Sequence, residues 1–128
     1  MAGGVLPQVL SFLERSAQAL QALGVEKARI VLDPGIGFGK TVEQNFALLA
    51  RQSELLALGY PVLAGWSRKS SLGAVTGLDV GQRLQPSVAA ALLAVEHGAR
   101  VVRVHDVRET AQALAVWRAM ASAQTPAP

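Results

Sequence analysis

No cysteine occurs in the chain, which excludes disulfides and thiolate metal sites and gives no sign of an oxidising compartment. Aromatic residues are scarce at 5% and charged residues at 16%, against 51% hydrophobic residues with abundant alanine. That is the balance of a buried, helix-rich α/β domain. Long apolar runs are also missing. The longest, Val88 to Val95, falls far short of the ~20 residues that cross a bilayer. Met1-Ala2-Gly3-Gly4 lacks the basic start of a secretory signal, so the cytoplasm is the expected location. Clustered positive charge is absent too. The net charge is +3, but the nine Arg and three Lys are scattered, with no interleaved aromatics and no zinc-finger or RNA-binding signature. Neither nucleic acid nor membrane is an expected partner, and a small anionic ligand accounts better for the charge. At 128 residues the chain suits one domain with a single core. No linker or repeat block divides residues 1–121, and residues 122–128 are expected to be a disordered tail.

What is present is an alternation of helix and strand. Pro7 suits a first helical turn, and Val9, Leu13, Ala17, Leu20 and Leu23 continue a helical stripe to Gly24. Arg29 to Leu32 is expected as the first strand. Thr41 and Gln44 form a capping box that opens a helix through Leu48, Leu49, Leu55 and Leu56 to Gly59. Pro61 to Gly65 is the second strand. A helix from Pro86 to Gly98 follows, with His97 as its C-terminal cap. Arg100 to Val104 is the third strand, and Glu109 to Met120 the last helix. Strands roughly 30–40 residues apart with helices between them are what a parallel sheet with crossovers requires.

Side chains two apart in a strand share a face. Arg29, Val31 and Asp33 then lie together, as do Leu63, Gly65, Ser67 and Lys69, and Val101, Arg103 and His105. One face of every strand ends in polar or charged groups while the opposite face is aliphatic. That asymmetry predicts a closed barrel with helices outside, since a doubly wound sheet would be apolar on both faces. Active sites of such folds gather at the C-terminal ends of the strands.

Three motifs stand at those ends. Asp33-Pro34-Gly35-Ile36-Gly37-Phe38-Gly39-Lys40 imitates a nucleotide P-loop but carries Pro34 where that pattern needs its first glycine. Its glycines let backbone amides approach a ligand beside a fixed carboxylate. The two Asp33 oxygens suit a planar ring that presents an amino group beside a ring N–H. Lys40 is expected to open onto solvent in a structural role. Ser67-Arg68-Lys69-Ser70 crowds two cations and two hydroxyls, with Ser70 placed to cap a short helix and hold a carboxylate, and Trp66 as packing. Arg103 lies inside an aliphatic strand, where an unpaired guanidinium costs several kcal/mol. It requires either an acid from elsewhere in the fold or an anionic group gripped jointly with His105. Asp106 would fix the loop or the histidine tautomer.

In these three motifs the chain closely resembles the dihydropteroate synthase family of pterin-binding enzymes, the sulfonamide targets of folate biosynthesis. The resemblance implies a (β/α)8 TIM barrel of which this chain supplies only the C-terminal three βα units, strands 6–8. It implies a transferase that condenses 7,8-dihydropterin-6-ylmethyl diphosphate with p-aminobenzoate, releasing pyrophosphate. By the same resemblance Asp33 and Gly37 bind the pterin, and Lys69 bridges pterin and p-aminobenzoate. Phe38, Ser67 and Ser70 line the p-aminobenzoate pocket, and Arg103 and His105 hold the diphosphate. Lys69, Arg103 and His105 are then the catalytic set. Mg²⁺ is implied with its ligand in the missing N-terminal half and none in this chain, as is a homodimer through the C-terminal helices. Two other possibilities are an inactive or self-associating homologue with exposed sheet edges, and a free-standing phosphate-binding domain, against which Pro34 stands.

Overall fold

The computed structural model describes residues 4–124. Three short parallel segments alternate with helices. Helix α1 spans Val5–Ala22, α2 Val42–Ala50, strand β1 Leu63–Ala64, α3 Ser70–Thr76, α4 Leu84–Glu96, β2 Val101–Val102 and α5 Val107–Ala123. β1 pairs in parallel with β2, Leu63 opposite Val101 and Ala64 opposite Val102. On the other side of β1 a single parallel bridge joins Leu32 to Val62. The segment around Val62–Ala64 is therefore the middle of the three.

The regular strands are shorter than the sequence predicts. Arg29 belongs to a tight 3₁₀ turn, Lys27–Arg29, and the Ile30 amide returns to the Lys27 carbonyl at 3.1 Å. Only Leu32 is left to exchange bonds with the middle strand, its N–H donating to Pro61 O at 2.9 Å and its carbonyl accepting from Leu63 at 2.8 Å. The segment pairs on one side only, so its backbone follows the turn before it as much as the sheet. The face assignment holds. Ile30, Leu32, Val62 and Ala64 are buried against the helices, whereas Val31 and Val101 are 47% and 43% exposed on the face that carries Asp33 and Arg103.

Each helix has a local cause. In α1, Leu6, Val9, Leu13 and Ala17 recur at helical spacing and are buried. The buried stripe ends there, with Leu20 and Leu23 exposed where the helix runs past the sheet. The capping box of α2 forms as expected, Gln44 N–H donating to Thr41 Oγ1 at 3.1 Å and Thr41 N–H to Gln44 Oε1 at 2.9 Å. The predicted continuous helix breaks at Arg51, and Gln52–Leu58 wind as 3₁₀ turns to Gly59. The break lets buried Gln52 turn inward, where Nε2 donates to Ala94 O at 2.8 Å and His97 O at 3.4 Å. Those carbonyls end α4, whose C-cap is His97, as expected. α4 starts two residues before Pro86, which its first turn tolerates because that turn needs no internal N–H bond. α5 extends from Val107 to Ala123 and takes in Ser122 and Ala123, which the sequence assigns to the tail. The tail's residues 125–128 lie outside the described residues. No helix among the described residues is long and apolar enough to cross a membrane.

Burial decides which strand positions carry stability. Val62→Ala is expected to destabilise this chain by about 1–3 kcal/mol, because it empties a fully buried site. Val101→Ala should stay within ~0.5 kcal/mol, as at ordinary surface positions. Urea denaturation midpoints of the two variants check the difference.

Candidate active site

Asp33, at the end of the first segment, accepts the Gly35 N–H on Oδ1 at 2.8 Å, which starts the glycine loop with a tight turn. The loop then passes Gly37, whose φ is +87° and whose missing Cβ leaves room for the Lys69 side chain 3.2 Å away. Buried Asn45 on α2 holds this loop by accepting the Gly37 N–H at 2.9 Å, and donates in turn to Ser71 Oγ on α3 at 2.9 Å. Asn45 and Ser71 thereby tie the first strand end to the second. Lys40 is partly buried and does not simply extend into solvent. Its Nζ folds back to donate to the Gly35 carbonyl at 2.8 Å and the Phe38 carbonyl at 3.3 Å. Its structural role stands, and burial lowers its pKa against the opposing pull of Asp33.

Strand geometry does not persist to Lys69. The Lys69 N–H closes a turn on the Trp66 carbonyl at 3.1 Å, with Arg68 at φ +59°. Lys69 still reaches the inner rim, its Nζ donating to the Ile36 carbonyl and lying 4.9 Å from the centre of the exposed Phe38 ring. Burial is the main reason its pKa falls below that of free lysine. Repulsion from Arg103 and Lys40 adds to the fall, and Asp33 opposes it. Lys69, not Ser70, takes the N-cap position of α3, and no side chain caps that helix. The cause is the turn at Arg68, which brings the chain into helical geometry one residue early. Ser70 is the exposed first helical residue. Trp66 packs, as expected, with its ring centre 5.0 Å from that of Phe46.

Arg103 finds its counter-charge two segments away. Its Nη1 lies 3.4 Å from Asp33 Oδ2, and the guanidinium crosses the middle strand over Gly65, where a methyl group would overlap it. Both side chains are partly open to solvent, at 54% and 35%, so the pair is weak. Beside it Ser67 Oγ meets His105 Nδ1 at 2.8 Å and accepts the His105 N–H at 3.2 Å. Asp106 leaves the histidine alone and pairs with Arg68 at 3.1 Å, which makes its role the loop. Gly65, Ser67, Lys69, Arg103 and His105 line a cavity of about 120 Å³ that no carboxylate borders. A groove of about 450 Å³ between α1 and the Asp33–Lys40 loop opens alongside. The three predicted motifs thus meet on one rim, an acid on one side and a lysine, an arginine and a histidine on the other.

A family model for the pterin binding enzymes matches residues 1–105. The chain belongs to that family. It is 46% identical to the dihydropteroate synthase of Haemophilus influenzae over 119 residues, covering 93% of this chain and 43% of that protein. The dihydropteroate synthase of Xanthomonas albilineans, solved in complex with 7,8-dihydropteroate, superposes with a TM-score of 0.93 at 45% identity. That match covers 98% of this chain and 48% of the other. The same enzyme with 4-aminobenzoic acid gives a TM-score of 0.92 at 45% identity, over 98% of this chain and 46% of the other. The chain spans less than half the length of these relatives.

Sequence reasoning missed Asn45, Ser71, Arg83 and Ser87. A polar residue at a core-facing helical position was the available signal for Asn45, which is 1% exposed. Asn45→Ala should destabilise the fold by about 1–3 kcal/mol, by leaving the Gly37 N–H and the Ser71 hydroxyl without their partner; a thermal melt checks it. A pH effect follows from Lys69. Its folded pKa lies below the unfolded 10.5, so between those values the unfolded state binds more protons and stability rises with pH. Lys40 contributes with the same sign. Lys69→Met should flatten that rise in urea midpoints measured from pH 8 upward.

Proposed function

We propose that this segment supplies strands 6–8 and their helices to a (β/α)8 barrel that works as a dihydropteroate synthase. The substrates are a dihydropterin methyl diphosphate and p-aminobenzoate, and the products are 7,8-dihydropteroate and pyrophosphate. The observation that carries this is the meeting of Asp33, Lys69 and Arg103 at one rim, with Arg103 reaching over Gly65 to Asp33. The relatives solved with dihydropteroate and with 4-aminobenzoic acid support the same substrate classes.

In this reaction the bond from the pterin methylene carbon to the diphosphate oxygen breaks, and its electron pair leaves with pyrophosphate. The arylamine nitrogen then bonds to that carbon and loses a proton. Asp33 accepts hydrogen bonds from the amino group and ring N–H of the pterin, with Gly37 at its edge. Arg103 and His105 take the diphosphate and offset the charge that builds on it. If Ser67 accepts the His105 amide proton and gives its own to Nδ1, the imidazole Nε2–H is left free to donate to the anion. Lys69 lies between the two substrates over Phe38, with Ser67 on the p-aminobenzoate side and Ser70, exposed at the start of α3, near that substrate's carboxylate. Bound pterin displaces the weak Asp33–Arg103 contact, which frees both groups for their ligands.

Mg²⁺ belongs to this reading only as a companion of the diphosphate. Among the described residues no three His, Asp or Glu side chains gather to hold a metal ion. Its ligand would come from the rest of the barrel, and no step here depends on it. The bare Val31 and Val101 would meet that remainder. Leu93 on α4 and Val116 and Met120 on one face of α5 are exposed apolar side chains that suit the proposed homodimer. A cytoplasmic location fits folate synthesis.

With the remaining barrel strands present, Lys69→Ala and Arg103→Ala should each lower product formation by roughly 10²-fold or more, as loss of a group that stabilises developing charge does. Isothermal titration with the pterin diphosphate, Mg²⁺ and p-aminobenzoate should show matching losses of heat. Unimpaired turnover in both variants would overturn the assignment.

A further inference from the structure

Arg68 is the one described residue other than glycine with a positive φ, at +59°, a region L side chains rarely adopt. Three groups hold it there. Its N–H donates to Ser87 Oγ at 2.8 Å, its carbonyl accepts from Arg83 Nη1 at 2.9 Å, and its guanidinium pairs with Asp106 Oδ1 at 3.1 Å. The holders are themselves fixed. Ser87 is buried on α4. Arg83 also donates from Nε to the Leu78 carbonyl at 3.0 Å, and its guanidinium lies against Gly73 of α3, where a methyl group would overlap it. Alternation alone would leave Ser67 and Lys69 on one face, and the kink sets which groups each of them meets. On one side Ser67 turns to His105, and on the other Lys69 turns to Ile36 and Phe38. Unkinked, the strand would carry Lys69 along by simple alternation, and the turn to Trp66 would open.

We propose that Ser87 and Arg83 are positioning residues, which clamp Arg68 in the left-handed conformation that delivers Ser67 and Lys69 to the strand-end site. The clamp matters for activity only if Lys69 and His105 bind substrate as set out above. Neither clamping residue lines the cavity shared by Lys69, Arg103 and His105, although Ser87 borders a smaller one behind it with Ser67 and Arg103. They act through the backbone of Arg68.

Glycine adopts a positive φ without strain, so it should make the clamp dispensable. Arg68→Gly and Arg68→Ala both lose the pair to Asp106, but only alanine carries a Cβ into the left-handed region. Two readouts follow each folded variant: the titration of the Lys69 amine by NMR with labelled lysine, without substrate, and condensation turnover with the remaining barrel strands present. Ser87→Ala should move the Lys69 titration up towards the free-lysine value of 10.5 and lower turnover about tenfold. Adding Arg68→Gly to Ser87→Ala should restore the titration and bring turnover back to within about twofold of the parent. Arg83→Ala should behave like Ser87→Ala and be rescued by Arg68→Gly in the same way, which keeps the test alive if Ser87→Ala does not fold, whereas Arg68→Ala, which keeps both backbone bonds, should behave like the parent. The clamp is overturned if Ser87→Ala leaves the Lys69 titration unchanged, or if glycine at 68 fails to rescue it. A silent parent enzyme with the titration pattern intact would reject the proposed reaction and leave the clamp standing. Normal turnover with a titration indifferent to these changes would do the reverse.

Discussion

Arg103 reaches across the middle strand because Gly65 offers nothing to stop it. The two outer segments of the sheet are never adjacent, yet their polar ends touch, Arg103 Nη1 within 3.4 Å of Asp33 Oδ2. That contact needs the parallel register of Leu32 with Val62 and of Leu63 with Val101, which sets all three strand ends at comparable height. It also needs a middle residue without a Cβ. Any side chain at 65 would stand between Asp33 and the group of Lys69, Arg103 and His105.

The rest of the site is held by ties between neighbouring strand ends, not by long regular strands. Asn45 joins the glycine loop to α3 through Ser71, and Ser67 joins the second strand end to the third through His105. Arg83, Ser87 and Asp106 hold the kink between Ser67 and Lys69. A sheet this short derives little rigidity from its ladder, so side chains that anchor in the helices carry the geometry. The ion pair at the centre, by contrast, is loose and half in water. Fixed supports around a weak, exchangeable contact are what the proposed function asks of this site.

Much of this was legible in the sequence, for physical reasons that differ by element. Period-two alternation correctly divided Ile30 and Leu32 from Val31 and Asp33, because it needs only an extended backbone, not a complete ladder. The Thr41–Gln44 box was readable because both partners lie within one turn. The break at Arg51 was not, since Gln52 turns inward for the carbonyls of Ala94 and His97, more than forty residues away. The strand-end groups themselves, Asp33, Lys69, Arg103 and His105, could be named from residue type and position. Their supports could not: Ser87 and Arg83 look like ordinary entries to a helix until the positive φ of Arg68 shows what they hold. Ser70 failed as a cap for the same reason, because that kink shifts the helix start by one residue.

The account is tested most directly by binding of the pterin diphosphate to Gly65→Ala, with the remaining barrel strands present and the melting temperature measured alongside. The added methyl group would overlap the Arg103 guanidinium before it met any other group. Affinity should fall about tenfold or more while the melting temperature stays close to that of the parent. Unchanged affinity in a folded Gly65→Ala protein would contradict the claim that one ligand is gripped jointly from Asp33 and from Arg103.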